Sequence, residues 1–413
     1  MQLTRVLAII GAELVWAAAT SRADAAPVKS GIQVLLENAK ELKSLQNNHG
    51  VGIVTNPTGS LPNLINDVYV LQSENVTINS IFSPEQGFNG AQQAGSSSGG
   101  YIDPQSGVPV QTLYALTPQQ MLASFRNQSV DTILFDLQDV GARFYTYVWT
   151  MAWIMEGIAG TNITLIVLDR PNPINGVDVE GPLLNMNYTS GVGLFPIPLR
   201  HGMTTGELAL MFNDKFIPNH TGGRKAKVEV VWMEGWTRDM YYDDTGLPFI
   251  LPSANLPTLD SVIVYPGTGL IEGTNISEGR GTTKPFQLLG ATWIDWHLAR
   301  AMQSENLPGT AWREAAFMPE FDKYANQTAT GVELYITDRS VFSPLRTTIA
   351  LLVNVRKLYP SKFEFIPDDF DILSGSAYIR TAIEAGKNTN EIVTGWQEEL
   401  RSFMRLRTKY LHY

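Results

Sequence analysis

Two glutamates set the chemical question. Glu85 lies in the run INSIFSPEQGFNG, residues 78–90, where an apolar segment breaks at Ser83 and Pro84. Glu180 lies in VDVEGPLL, beyond a turn-rich stretch. Two carboxylates facing one cleft are the minimum for glycoside hydrolysis, one serving as acid and the other as base or nucleophile. Burial raises the acid's proton affinity while its partner stays ionised. Acidic pairs are common, so spacing alone leaves a purely structural role open beside the catalytic one.

Other reactive residues give weaker signals. The histidines His49, His201, His220, His297 and His412 show neither HxH nor HExxH spacing, so no metal site is expected. Cysteine is absent, which excludes thiolate nucleophiles, disulfides and Cys-ligated zinc. His201 precedes a helix start and either orients substrate or caps structure. Asp139 and Arg143, four apart near a predicted helix start, pair on its surface or serve a site. Tyr145 and Tyr147 share that predicted helix, as core aromatics or site residues. Gly95–Gly99, GSSSG, has the form of a nucleophile elbow with Ser97 at its centre. An elbow needs a strand before it and a helix after, and FNGAQQA and GYIDP supply neither. There is no P-loop and no G-x-G-x-x-G after a strand, so no cofactor is expected.

The elements that must position these residues alternate. Short Ile- and Val-rich runs read as strands at GVGIVTNPTG, INSIFSPEQG, DTILFDLQDVG, NITLIVLDRP and KVEVVWMEGW. Between them TPQQMLASFRNQ, ARFYTYVWTMAWIMEGIAG and MTTGELALMFNDKF read as helices, the first with Thr117 as cap and Pro118 in its first turn. Continuous apolar strands imply a mostly parallel, Rossmann-like sheet covered on both faces. In such sheets ligands sit beyond the carboxyl ends of the strands. The predicted strands end in polar clusters at 56–59, 83–87, 136–139 and 169–173, so Glu85 becomes one of several groups on a shared edge. From about Trp293 the pattern changes to an alternating strand, GVELYITDR, and helices. We therefore expect a catalytic domain over 28–285 and a smaller α+β domain over 286–413. AGSSSGG, residues 94–100, reads as a mobile loop.

Composition narrows the class. The chain has 413 residues, 44% hydrophobic and only 17% charged, ample for a core and unlike a disordered protein. A net charge of -10 without a basic block argues against nucleic acid as a partner. Arg5, an apolar run and the small-residue site at 23–25 read as an export signal over residues 1–25. No later run approaches a membrane span, so no stable membrane insertion is expected. Asn75, Asn127, Asn162, Asn187, Asn219, Asn275 and Asn326 head glycosylation sequons.

The motifs VGIVTNPTG, FSPEQG, DLQDVGARFYTY, VLDRPNPINGVDVEGP, PIPLRHGMTTGELA and YPGTGLIEGTNISEGRGTTKPFQLLGA run in order along nearly the whole mature chain. They resemble the exo-β-N-acetylmuramidase family, NamZ-type glycoside hydrolases long filed as a domain of unknown function. The resemblance implies a Rossmann-like catalytic domain, a smaller C-terminal domain, and peptidoglycan fragments ending in N-acetylmuramic acid as substrate. It places the catalytic glutamates on Glu85 and Glu180. It implies substrate-binding roles for Asn56, Asp136, Asp139, Arg143, Tyr145, Asp169, Arg170, Asn172, Asn175, His201, Glu272, Asn275 and Arg280. The family usually carries His after the first glutamate, where this chain has Gln86. A sugar-binding protein without turnover is the alternative which that departure keeps open, and a Ser97 esterase is the third. Because Asn275 also belongs to a family motif, it is expected to stay unglycosylated. The lactyl carboxylate of muramic acid calls for a guanidinium that grips it through two hydrogen bonds, and Arg143, Arg170 and Arg280 are the candidates.

Overall fold

The computed structural model describes residues 27–413; the predicted export signal lies outside the described residues. Seven strands form the main sheet: β1 (Val51–Thr55), β2 (Ile78–Ser83), β3 (Tyr101–Ile102), β4 (Pro109–Thr112), β5 (Thr132–Asp136), β6 (Thr164–Leu168) and, after a hairpin of β7 (Glu180–Leu183) and β8 (Pro198–Arg200), β9 (Lys227–Val231). Their order is β3-β4-β2-β1-β5-β6-β9, parallel throughout except for the short edge pair β3–β4. The chain leaves β1 toward β2 and later returns to its other side with β5. That reversal makes the carboxyl ends of β1 and β5 a topological switch point. All of β1 is buried, as a parallel strand covered on both faces must be.

The helices follow their sequence signals with instructive exceptions. Helix Pro118–Asn127 starts from a capping box between Thr117 and Gln120, and helix Thr205–Lys215 from one between Thr204 and Glu207. The apolar helix expected from Ala142 begins only at Tyr147 and runs to Ile158, buried on almost every side. Residues 142–146 form a loop instead, so Asp139 and Arg143 do not pair across a helix turn. The cause is Arg143. Its buried guanidinium donates to the carbonyls of Pro182, Ile197 and Leu373 at 3.0, 2.9 and 3.2 Å, which holds the segment off the helical path. The predicted C-terminal helix splits into Thr389–Thr394 and Gln397–Arg407 around Gly395, which packs against the Tyr378 hydroxyl.

A three-stranded antiparallel sheet, order β10-β12-β11, is built from β10 (Leu288–Ala291), β11 (Thr310–Phe317) and β12 (Ala329–Ile336). Helix Leu259–Thr268 packs on helix Pro344–Leu358 of this smaller α+β part. Gly267 allows that approach, because a Cβ there would stand 2.0 Å from the Pro344 carbonyl oxygen. One apolar core runs through both parts, from Phe135 and Trp149 to Leu352 and Phe403. Among the described residues no helix is long and apolar enough to cross a membrane.

Candidate active site

Glu85 leaves the end of β2 and lines a cleft between the two parts, with Gln86, Tyr145, Thr146, Tyr147, Ser253, Asn255, Tyr265, Glu272, Arg280 and Phe286 among the other walls. The cleft encloses ≈ 120 Å³, or ≈ 610 Å³ with its open mouth. Both carboxylate oxygens of Glu85 accept hydrogen bonds, Oε1 from the Gly95 amide at 2.7 Å and Oε2 from the Thr146 hydroxyl at 2.6 Å. These donors orient the side chain. The serine-rich segment expected to be a mobile loop is therefore part of the site. Gln86 donates its amide N–H to the Ser96 carbonyl at 2.7 Å, and the Ser83 hydroxyl donates to the Ser98 carbonyl at 2.8 Å. Ser97 gives its hydroxyl to the Pro84 carbonyl at 2.7 Å and accepts from Thr112 at 3.0 Å. Its bonded partners thus include no imidazole to activate it, which removes the physical basis of an esterase nucleophile.

Gln86 adopts φ +70°, a left-handed conformation uncommon for a side-chain-bearing residue. It turns the chain so that its amide side chain reaches Ser253 at 2.9 Å. The site thus contains a fixed amide donor beside Glu85.

The opposite wall comes from a 3-10 turn, Gly269–Gly273, that follows helix Leu259–Thr268. Glu272 on this turn accepts from Arg280 at 3.0 Å. Arg280 also lies 3.4 Å from Glu278, and Lys323 stands 3.1 Å from Glu278. Burial raises the proton affinity of Glu272 above that of an ordinary carboxylate, and the Glu278 charge adds to this against the pull of Arg280.

The structure divides the remaining residues singled out in the sequence. Tyr145 lines the cleft and gives its hydroxyl to the Pro252 carbonyl at 2.7 Å. Asn56 sits one layer behind, donating to the Tyr147 hydroxyl at 3.0 Å. Glu180 does not line the cleft with Glu85. It faces Arg200 across the β7–β8 hairpin at 2.7 Å and accepts from Ser343, so the expected Glu85–Glu180 pair is not assembled there. Arg143 spends both terminal nitrogens on backbone carbonyls. Arg170 forms a two-pronged buried pair with Asp136 below the switch point. Neither arginine is among the cleft walls. Asp139 caps the Gly141 amide at 2.7 Å and lies 3.2 Å from buried His201. Asn172 and Asn175 brace their own turn, the former against the Met203 carbonyl at 3.0 Å and the latter against Asp178 at 2.8 Å. Asn275 holds the backbone of Lys362 and Glu364 at 2.8 and 3.0 Å.

Asp169 accepts from the Gly206 amide and the Tyr413 hydroxyl, each at 2.8 Å, and is not among the cleft walls. Burial pushes it up to about 7 despite those donors. The folded protein therefore holds this proton from the ordinary carboxylate value of about 4 up to about 7, where the unfolded chain has lost it. On that account stability contributed by this group falls as pH rises through that window and levels off above it. Asp169→Asn is expected to flatten this decline in thermal midpoints measured from pH 4 to 8.

Thr146, Ser253, Asn255, Tyr265 and Phe286 are cleft residues that the sequence reading missed. Thr146 stood between two tyrosines already singled out, and Ser253 and Asn255 sit in PSANLP, a polar break between apolar runs.

The N-terminal model of the exo-β-N-acetylmuramidase NamZ family matches residues 51–260, and its C-terminal model residues 263–413. The peptidoglycan β-N-acetylmuramidase NamZ of Bacillus subtilis (strain 168) is 46% identical over 390 residues, covering 94% of this chain and 91% of that protein. Crystal structures of two DUF1343 family proteins from Bacteroides fragilis NCTC 9343 superpose with TM-scores of 0.84 and 0.73. Each is 32% identical, covering 94% of this chain and 99% of its own.

Proposed function

The chain belongs to the NamZ family of exo-β-N-acetylmuramidases, and on that premise we propose that it is an exported glycoside hydrolase. It releases terminal, non-reducing β-linked N-acetylmuramic acid from peptidoglycan fragments. The observation that carries this reading is the convergence of Glu85, Glu272 and Arg280 on one cleft. Hydrolysis breaks the bond from the anomeric carbon to the leaving oxygen, adds the hydroxyl of water to that carbon and returns a proton to the leaving sugar. Glu272, whose proton affinity is raised by burial, is suited to protonate the leaving oxygen. Glu85, held by two donors, serves the anomeric carbon as base toward water or as nucleophile. The apolar signal at residues 1–25 supports export. A glycan on the Asn275 amide nitrogen would displace its Lys362 contact, which supports that sequon staying unmodified.

Arg280 is the arginine of the cleft wall and the candidate for gripping the lactyl carboxylate. A hydrogen bond to a charged group contributes about 1.5–3 kcal/mol. Arg280→Ala is therefore expected to cut the preference for muramic over glucosamine substrates by about 10–100-fold. Comparing kcat/KM for the two substrates cancels any shared disturbance of Glu272. An unchanged ratio would remove Arg280 from this role. Chromogenic β-N-acetylmuraminide turnover tests the reading as a whole; binding without turnover would replace the hydrolase by a sugar-binding protein.

A further inference from the structure

We infer that the groove beside the cleft, lined by Gln93, Asn255, Gly281, Met318 and Phe321 among others, receives the saccharide that leaves when the terminal sugar is released. The inference rests on the hydrolase reading above and adds the place where the rest of the substrate lies. The groove has a volume of ≈ 550 Å³, within the usual range of about 300–1,000 Å³ for small-ligand sites. The cleft and the groove share Asn255 as a wall. Asn255 donates to Gln93 at 3.0 Å, so a polar bridge marks the boundary between the cleft and the groove.

Two further ties make the groove a continuation of the site. The chain that carries Arg280 on the cleft wall runs directly into Gly281 on the groove wall. Gly281, at φ +76°, lies so close to Phe321 that a Cβ would stand 2.7 Å from the Phe321 amide nitrogen. Lys323, two residues after Phe321, donates to the carbonyls of Ile271, Glu272 and Ile276 at 3.1, 2.9 and 3.0 Å. The loop bearing the groove's apolar residues is thereby fastened to the backbone of the cleft's own glutamate.

The lining chemistry matches a sugar. Met318 is 60% exposed and Phe321 39% exposed, large apolar groups left uncovered beside a cleft. An aromatic ring offers a flat apolar face to the C–H surface of a pyranose. Amide and hydroxyl groups of Gln93, Asn255, Thr282 and Thr283 on the groove wall can meet its hydroxyls and N-acetyl group.

The test measures two constants in one assay of the full chain. These are KM for a disaccharide of N-acetylmuramic acid β-linked to N-acetylglucosamine, and the competitive inhibition constant of free N-acetylmuramic acid. Phe321→Ala is expected to raise the KM by about tenfold and leave the inhibition constant of the monosaccharide unchanged. Met318→Ala, at an exposed position, is expected to act in the same direction and serves if Phe321→Ala folds poorly. Should both constants rise together, or neither move in either variant, the groove is not the leaving-sugar subsite while the hydrolase reading stands. Should wild-type protein fail to turn over the disaccharide at all, the hydrolase reading falls and the subsite with it.

Discussion

Glu85→Gln lowers turnover of a muramic-terminated disaccharide by about 10²–10⁴-fold, the usual cost of removing a group that transfers a proton or attacks at the reacting centre. The thermal midpoint stays near that of the wild type. Glutamine keeps an oxygen for the Gly95 amide, and the Thr146 hydroxyl that now bonds Oε2 can rotate to accept from an amide nitrogen instead. Chemistry is thus lost without a buried group being left unpaired. Glu180→Gln is the matched control, because Glu180 is engaged by Arg200 and Ser343 rather than by the cleft. Its loss weakens a charge partner of the buried Arg200 side chain, so it should move stability more than kcat. A wild-type rate in the Glu85 variant, with the rate abolished in the Glu180 variant, would shift the chemistry from the cleft to the hairpin.

The sheet was legible because its signals are local. Apolar runs such as VGIVT and TILFD become β1 and β5, and the Thr117–Pro118 start fixes a helix by satisfying its first amides. The edge on which polar clusters emerge was legible for the same reason. Which clusters meet a ligand was not, because a polar residue's type does not reveal its partner. Three of the four predicted clusters are largely occupied by the protein itself, through Asn56 with Tyr147, Asp136 with Arg170, and Asp169 with Gly206 and Tyr413. Tyr413 is 244 residues from Asp169 and Ser343 is 163 from Glu180. Such pairings follow from how the C-terminal elements pack, and no local pattern encodes them. For Glu272 the sequence motif implies only substrate binding. Its environment comes from a turn pressed against the C-terminal part, which the motif around it did not display.

Arg170→Ala destabilises the fold by about 3–5 kcal/mol, the cost of breaking a buried ion pair by removing one partner. Arg170 and Asp136 are almost fully buried, and Arg170 offers two donors to the two carboxylate oxygens. Asp67 lies in the same pocket. Its proton affinity is raised well above the ordinary value, by burial first and then by the Asp136 charge. Removing the guanidinium would leave one carboxylate unpaired beside another in a dry site, where like charges cannot both be ionised cheaply. The loss should appear as a lower denaturation midpoint, and Asp136→Asn in the same chain should recover part of it by removing the stranded charge. Arg170→Lys keeps one charge but not the two-pronged geometry, so it should fall between the wild type and the alanine variant in stability. Because Arg170 stands outside the cleft walls, folded Arg170→Lys protein should keep its preference for muramic over glucosamine substrates, unlike Arg280→Ala. If that preference collapsed while stability barely moved, Arg170 would be a substrate ligand, and the switch point rather than the Glu85 cleft would hold the sugar.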